Sequence, residues 1–260
     1  MKTKKISHKG KKHKVKSHKV KTHKKKLIKD PPFSKNVNKG SDATEGLIHY
    51  HYQHYSNITD YLSYLYNKKQ YKNICLFKDP TDCTLTLNQN NFKKGIMPKY
   101  VSNNVLKQKI VTCSDKRFVP IILETVTKKE NHANIILIDN VNKNVELFEP
   151  HGNRGDESSL HNIKKTYKIK KEEVKKFFKK MLPTYRFISV VDKLKKKKRL
   201  QSRFDANSGY CITWSLLYFH YRVLNPNVSY TRMIHYIDRK IKLNNLLRYA
   251  KSVEDSLKSI

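Results

Sequence analysis

The chain is poor in acid: its 260 residues carry 21 Asp and Glu against 56 Lys and Arg, a formal net charge of +35. It contains no run of 18 consecutive apolar residues and no apolar signal region at its N-terminus. A transmembrane or conventionally secreted protein is therefore not expected. The four cysteines, Cys75, Cys83, Cys113 and Cys211, form no C-x-x-C pair and lack histidine partners at zinc-ligand spacing. That excludes a zinc knuckle or a dithiol redox motif. Four widely spaced cysteines without a signal peptide predict a reducing compartment. In it Cys75, Cys83 and Cys113 would be small buried hydrophobes or surface thiols. Arginine is scarce as well, with 9 Arg against 47 Lys. A lysine excess accompanied by abundant Asn and Ile fits compositional drift as well as selection for phosphate contacts. The distribution of charge is therefore more informative than its total.

What is present is enough to build a core: 37% hydrophobic residues, with 16 Tyr and 10 Phe, exclude wholesale disorder. Residues 1–29 hold 14 Lys and no acid, leaving +21 for the rest. Within them a pentad recurs, from Ser7-His8-Lys9 to Thr22-His23-Lys24. A period of five matches neither helix nor strand and the like charges repel, so residues 1–30 read as a disordered basic tail. Such an arm neutralises phosphates and releases counterions, or else serves as a solubilising or targeting tail. Lysine crowding argues against metal binding by its evenly spaced histidines. Residues 31–46, opening on Pro31-Pro32, read as a linker, and 47–260 as the folded domain.

Periodicity predicts the elements of that domain. Ile58, Tyr61, Leu62, Leu65 and Tyr66 form a helical stripe that Asn57 or Thr59 would cap. Strands are expected at Val119–Val126, Asn134–Asp139, Asn144–Glu149 and Tyr185–Val191, the middle two joined as a hairpin by Asn140-Val141-Asn142-Lys143. Val174, Phe177, Phe178, Met181 and Leu182 mark a helix whose other faces are basic. A long apolar helix spans Cys211–Leu224, with further helices through Met233–Ile237 and Leu246–Leu257. The fold class is α+β, a central mixed or antiparallel sheet flanked by helices.

Cys211 stands apart from the other cysteines. Asp205-Ala206-Asn207-Ser208-Gly209-Tyr210 is turn-forming and runs directly into the apolar helix. A cysteine in the first turn of a buried helix faces unpaired backbone N–H groups and the positive end of the macrodipole. Both favour the thiolate that attacks carbonyl carbon, and the same N–H groups suit the resulting oxyanion. A nucleophile needs a base, and His132 stands at the entry to the run Asn131–Asp139, whose apolar part is the expected strand. In an antiparallel hairpin the end of the second strand lies beside the start of the first, so Glu149 is expected within reach of His132. Taken singly, each residue has a plain reading, as an inert thiol, a solvated strand-end histidine and a surface acid.

A histidine opening an apolar strand, an acid 17 residues later, and Gly209-Tyr210-Cys211 leading into a helix resemble the adenain/ubiquitin-like-protein protease group. That group includes the adenovirus maturation protease, the SUMO-deconjugating proteases and enzymes of large DNA viruses. The resemblance spans about residues 115–225. It implies Cys211 as nucleophile, His132 as general base and then acid, and Glu149 as the residue orienting His132. Peptide or isopeptide bonds of virion precursors or ubiquitin-like modifiers would be the substrates, with no metal or cofactor. It further implies action in a host cytoplasm or nucleus, with packaging in a virion. Two positions depart from the pattern. Asp205 stands where the group carries a Gln that donates to the oxyanion hole, and an ionised Asp only accepts; Gln201 is a displaced substitute. Ala133 stands where many cellular members carry Trp.

Asp205 leaves open a catalytically inactive member of the fold that packages nucleic acid. A basic DNA- or RNA-binding protein without protease ancestry is the third reading, through the tail and the run Lys193–Arg199. That run also suits a nuclear localisation patch or an acidic substrate at the site mouth.

Overall fold

The computed structural model describes residues 27–35, 55–68, 71–75, 83–88, 103–126, 131–150, 161–194, 200 and 210–259, with only the backbone at 55–59, 87–88, 103–104, 125–126, 131–133 and 161–170. In chain order the elements are α1 (Tyr55–Tyr66), β1 (Thr84–Asn88), α2 (Asn103–Thr112), β2 (Phe118–Val126), β3 (Asn131–Asp139), β4 (Asn144–Phe148), α3 (His161–Met181), β5 (Arg186–Ser189), α4 (Cys211–Leu224), α5 (Tyr230–Lys240) and α6 (Leu243–Leu257). The strands form one sheet in the order β1-β2-β3-β4-β5. Its three central strands are antiparallel and both outer pairs, β1/β2 and β4/β5, are parallel. This is the α+β mixed sheet that the alternating apolar runs predict.

Alternation along the strands explains why the centre of the sheet is buried on both faces. Phe118, Ile122, Ile135, Leu137 and Phe148 point to one side, and Val119, Ile121, Ile136, Ile138, Val145 and Leu147 to the other. The side bearing Leu137 and Phe148 is covered by α4, which is buried along its length from Cys211 to Val223. A helix apolar all round must lie in the interior, and α1, α5 and α6 enclose α4 from outside through Tyr61, Met233, Ile237 and Tyr249, all within one core.

Several boundaries differ from the expected ones. The first helix begins at Tyr55, so Asn57 and Thr59 lie within it rather than at its cap. Helix α3 begins at His161, well ahead of the apolar stripe at Val174, because its N-terminal half is lysine-rich and shows no helical apolar period. β1 and α2 have no counterpart in the expected elements; β1 is only five residues long, TLTLN. The cysteine expectation needs correction too. Cys75 and Cys113 are paired in a disulfide, with Cα atoms 5.6 Å apart across 38 residues. A parallel bridge between Ile74 and Phe118, with the Cys75 N–H donating to the Phe118 carbonyl at 2.8 Å, brings the two segments together. Spacing alone carried no sign of it, since long-range pairing depends on topology. Cys83 is buried as a thiol.

Residues 27–35, where composition reads the end of a tail and the start of a linker, lie against the C-terminal helices. Asp30 accepts from Tyr221 at 3.0 Å, Tyr236 at 2.8 Å and Lys240 at 2.6 Å. Burial works to raise its pKa, but these three donors outweigh it and hold the carboxyl below its ordinary range. Asn225 exchanges two hydrogen bonds with the Lys29 backbone, and Arg248 with that of Ser34.

A second polar device lies inside the core. His220, on α4, is completely buried and touches three tyrosine hydroxyls: Tyr71 at Nε2, and Tyr61 and Tyr249 at Nδ1. One ring nitrogen donates and the other accepts in a neutral imidazole, which this cage satisfies. Burial pushes the His220 pKa down from 6.5 to about 3. The unfolded chain therefore binds a proton below about pH 6.5 that the folded chain refuses until about pH 3. Folding stability should fall as pH drops through that interval, by up to ~1.4 kcal/mol per pH unit from this group. Chemical denaturation at stepped pH should show the slope in the native protein, and His220→Gln should remove that share of it.

Candidate active site

The site is assembled by docking one helix onto one hairpin. Arg222, in the last turn of α4, reaches Glu146 of β4 through two parallel hydrogen bonds, each 2.9 Å. It also reaches Asp139, at the end of β3, at 3.4 Å, and donates to the Val228 carbonyl at 2.7 Å. Tyr218, one turn earlier, donates to Glu146 at 2.6 Å and stacks on Phe148 with ring centroids 4.5 Å apart. Arg222, Glu146 and Asp139 are at most 1% exposed. Burial works to lower the Arg222 pKa, but the Glu146 and Asp139 carboxylates outweigh it and hold the guanidinium charged. Burial, together with the neighbouring Glu146 carboxylate, pushes the Tyr218 hydroxyl well above its ordinary value, so it remains a donor.

These contacts fix the direction of α4. Its C-terminal end sits at the turn between β3 and β4, where Asp139 also accepts from the Val141 and Asn142 N–H groups. Moving from Arg222 to Tyr218 along the helix moves from Asp139 toward Phe148, away from that turn. Cys211 lies two turns beyond Tyr218, about 10 Å at 1.5 Å per residue. The nucleophile candidate is thus carried to the open end of the hairpin, where β3 begins and β4 ends.

His132 and Glu149 belong to that same end. His132 is the second residue of β3 and pairs in register with Thr125 of β2. Glu149 directly follows β4, whose last pair, Phe148 with Ile135, stands three residues from His132 along β3. Glu149 is 2% exposed, a burial that a plain surface acid would not have. Asn134, between His132 and Ile135, is 1% exposed with neither side-chain polar atom hydrogen-bonded. An unsatisfied buried amide costs ~1–3 kcal/mol, and its place beside this strand end is where such a cost is commonly tolerated.

Cys211 is the first residue of α4 and is 7% exposed. Tyr210 forms the N-cap without a side-chain cap, and its carbonyl accepts from Trp214 N–H at 2.9 Å to close the first turn. The helix ladder begins with the Trp214 donor, which places Cys211, Ile212 and Thr213 at the N-terminal end of the macrodipole. The first turn carries no acid to offset the positive end of the dipole. Both features are what a thiolate and an oxyanion require. Asp205 and Gln201 lie outside the described residues, as does the run beyond Leu194, while Lys193 is exposed. Among the described residues no group of three or more His, Cys, Asp or Glu is arranged to hold a metal ion.

No family model matches the chain, and no curated protein matches it. Among solved structures it is similar to the Chlamydia trachomatis effector Cdu1 bound to ubiquitin, with 13% identity, coverage of 80% of this chain and 94% of that one, and a TM-score of 0.47. The ASFV pS273R protease shows 19% identity over 76% of this chain and 65% of its own, with a TM-score of 0.44. The SUMO protease Ulp1 shows 8% identity over 83% and 81%, with a TM-score of 0.42. The two proteases fit the group that the sequence resembles. At these scores the functional reading rests on the residues themselves.

Reading the sequence for a nucleophile, base and acid passed over the residues that align them. Arg222 interrupts the apolar run of α4, and Glu146 interrupts Val145–Phe148. A charge inside an apolar run is a sign of buried pairing, and here the two signs belong to one cluster. Arg222→Ala should lower folding stability by about 3–5 kcal/mol in urea denaturation, because it leaves the buried Glu146 without its cation, while Asp139 keeps Arg117 at 3.4 Å. Arg222→Lys, which keeps the charge but loses the two-pronged geometry, should cost less.

Proposed function

We propose that the chain is a cysteine-type peptidase acting on ubiquitin-like proteins or on similarly processed precursors. What supports this reading is the direction of α4, which runs from Arg222 past Tyr218 along the hairpin toward the end where β3 begins, with His132, and β4 gives way to the buried Glu149, and which starts with Cys211. In this reading Cys211 Sγ attacks the carbonyl carbon, and His132 takes the thiol proton and passes it to the leaving amine. A thioester remains on Cys211, and water, deprotonated by His132, hydrolyses it. Glu149 orients the imidazole and stabilises its charged form, the role of the acid in catalytic triads. Backbone N–H groups at the N-terminus of α4 are the donors suited to the oxyanion. No cofactor enters this chemistry.

The resemblance and the ubiquitin carried by the Cdu1 structure support a ubiquitin-like substrate. Precursor proteins of a virion are the finer alternative that the resemblance offers. Protein substrate apart, the basic tail of residues 1–30 is suited to hold the enzyme near nucleic acid.

A specific observation favours a second reading, a protease fold that has lost its activity. Asp205 stands six residues before Cys211, where an ionised carboxylate would repel the oxyanion. Ubiquitin and SUMO bearing a thiol-reactive C-terminal electrophile separate the two. The active enzyme should form a covalent adduct that Cys211→Ala abolishes, with His132→Ala slowing it at least 100-fold and Glu149→Gln about 10-fold or more. Adduct formation unchanged by Cys211→Ala would refute the assignment. Adducts gained only in Asp205→Gln would establish the inactive reading.

A further inference from the structure

Helix α3 carries charge that the fold does not use. Over its 21 residues, His161–Met181, it has nine lysines against Glu172 and Glu173. Among its described side chains Val174 and Phe178 are buried and Phe177 and Met181 partly covered, and this stripe packs against the core. Lys175, Lys176, Lys179 and Lys180 project into solvent, with Lys175 and Lys176 side chains 50% and 67% exposed.

Two lines of physical reasoning make this arrangement costly for the protein alone. Lysine in the last turn suits the negative end of the helix dipole, which accounts for Lys179 and Lys180. It does not account for Lys164, Lys165 and Lys168 in the first two turns, at the positive end, where the first turn has no acid. In addition, Lys164/Lys168, Lys171/Lys175, Lys175/Lys179 and Lys176/Lys180 are i,i+4 pairs of like charge, each unfavourable in an isolated helix. Among the described side chains, Lys175 and Lys176 gain local relief from Glu172 at 3.7 Å and Glu173 at 2.8 Å, and Lys171 from Asp192. A partner that supplies many closely spaced negative charges would remove the whole cost.

The surface extends beyond the helix. The short helical turn Val191–Lys193 is tied to α3 by the ion pair of Lys171 with Asp192. Lys193, the first residue of the basic run ending at Arg199, is therefore held beside the α3 row. We infer that α3, with the start of the Lys193–Arg199 run, forms a nucleic-acid backbone-binding surface separate from the N-terminal basic tail. Its length, about 31 Å at 1.5 Å per residue, matches a stretch of duplex presenting about 18 phosphates. The recognition is of phosphate and carries no sequence preference.

The test uses the full chain, so the tail stays in place, and a fluorescent 20-base-pair DNA duplex titrated over a series of NaCl concentrations. Replacing Lys164, Lys168, Lys175 and Lys179 by Gln removes four charges from α3. Replacing the exposed Lys72, Lys107, Lys242 and Lys258 by Gln removes the same number elsewhere. The α3 variant should bind at least about tenfold more weakly near 0.1 M salt, with the slope of log affinity against log salt shallower by about 3. The control should stay close to the native protein. The α3 variant should also melt no lower than the native chain, since like-charge repulsion has been relieved. Equal losses in both variants would show that only net charge matters, and an unchanged slope would leave binding to the tail; either result overturns the proposal. So would a native chain that binds polyglutamate as tightly as DNA, which would identify an acidic protein as the partner. Adduct formation with ubiquitin-like probes does not depend on these lysines, so this result stands or falls apart from the peptidase reading.

Discussion

The buried contact between Arg222 and the carboxylates of Glu146 and Asp139 determines where everything else near the site can be. It ties the end of α4 to the turn end of the β3–β4 hairpin with two-pronged geometry, which tolerates little rotation or sliding. A helix fixed at that end and aligned by the Tyr218–Phe148 stack has its first residue delivered to the opposite end of the hairpin. The site is therefore assembled from a distance. An apolar substitute for the cluster would be at least as stabilising in principle, but it would fix direction and register less sharply. His220 performs a similar task on the other side of α4, joining it to α1, Tyr71 and α6 through three hydroxyls.

The thiol and its helix terminus illustrate how little chemistry such a site needs beyond placement. Cys211 gains its electrostatic setting from backbone donors that any helix start possesses. What distinguishes this start is burial of the whole helix behind it, which keeps those donors in a medium where they count for more than in water. Glu149 shows the complementary effect: a carboxyl withdrawn from solvent at a strand end, positioned by β4 pairing with β3 and followed by buried Pro150.

Local patterns made much of the fold legible in advance. The hairpin strands, the long apolar helix from Cys211 to Leu224, and the two C-terminal helices each carry a period or a turn signal of their own. Cys211, His132 and Glu149 stand out in the sequence as candidates because each sits at the boundary of such an element. Asp205 falls outside the described residues. Other features could not be read because they are not local. The pairing of Cys75 with Cys113 depends on a bridge between Ile74 and Phe118, and β1 exists because β2 offers a parallel edge. The N-terminal half of α3 is lysine-rich and lacks an apolar period. Arg222 and Glu146 were visible as oddities in apolar runs, yet only the tertiary fold shows that each is the other's answer.

The segment Leu27–Lys35 adds a mechanical consequence. Asp30, Lys29 and Ser34 moor it to α4, α5 and α6 through Tyr221, Asn225, Tyr236, Lys240 and Arg248. These moorings lie at the Leu224 end of α4, about 20 Å from Cys211 by the helix rise. Tension applied to the chain ahead of Leu27, as when residues before it are gripped by a polymer, would be borne by that anchorage. The strain would pass into the rear of the helix bundle and leave the thiol end unloaded.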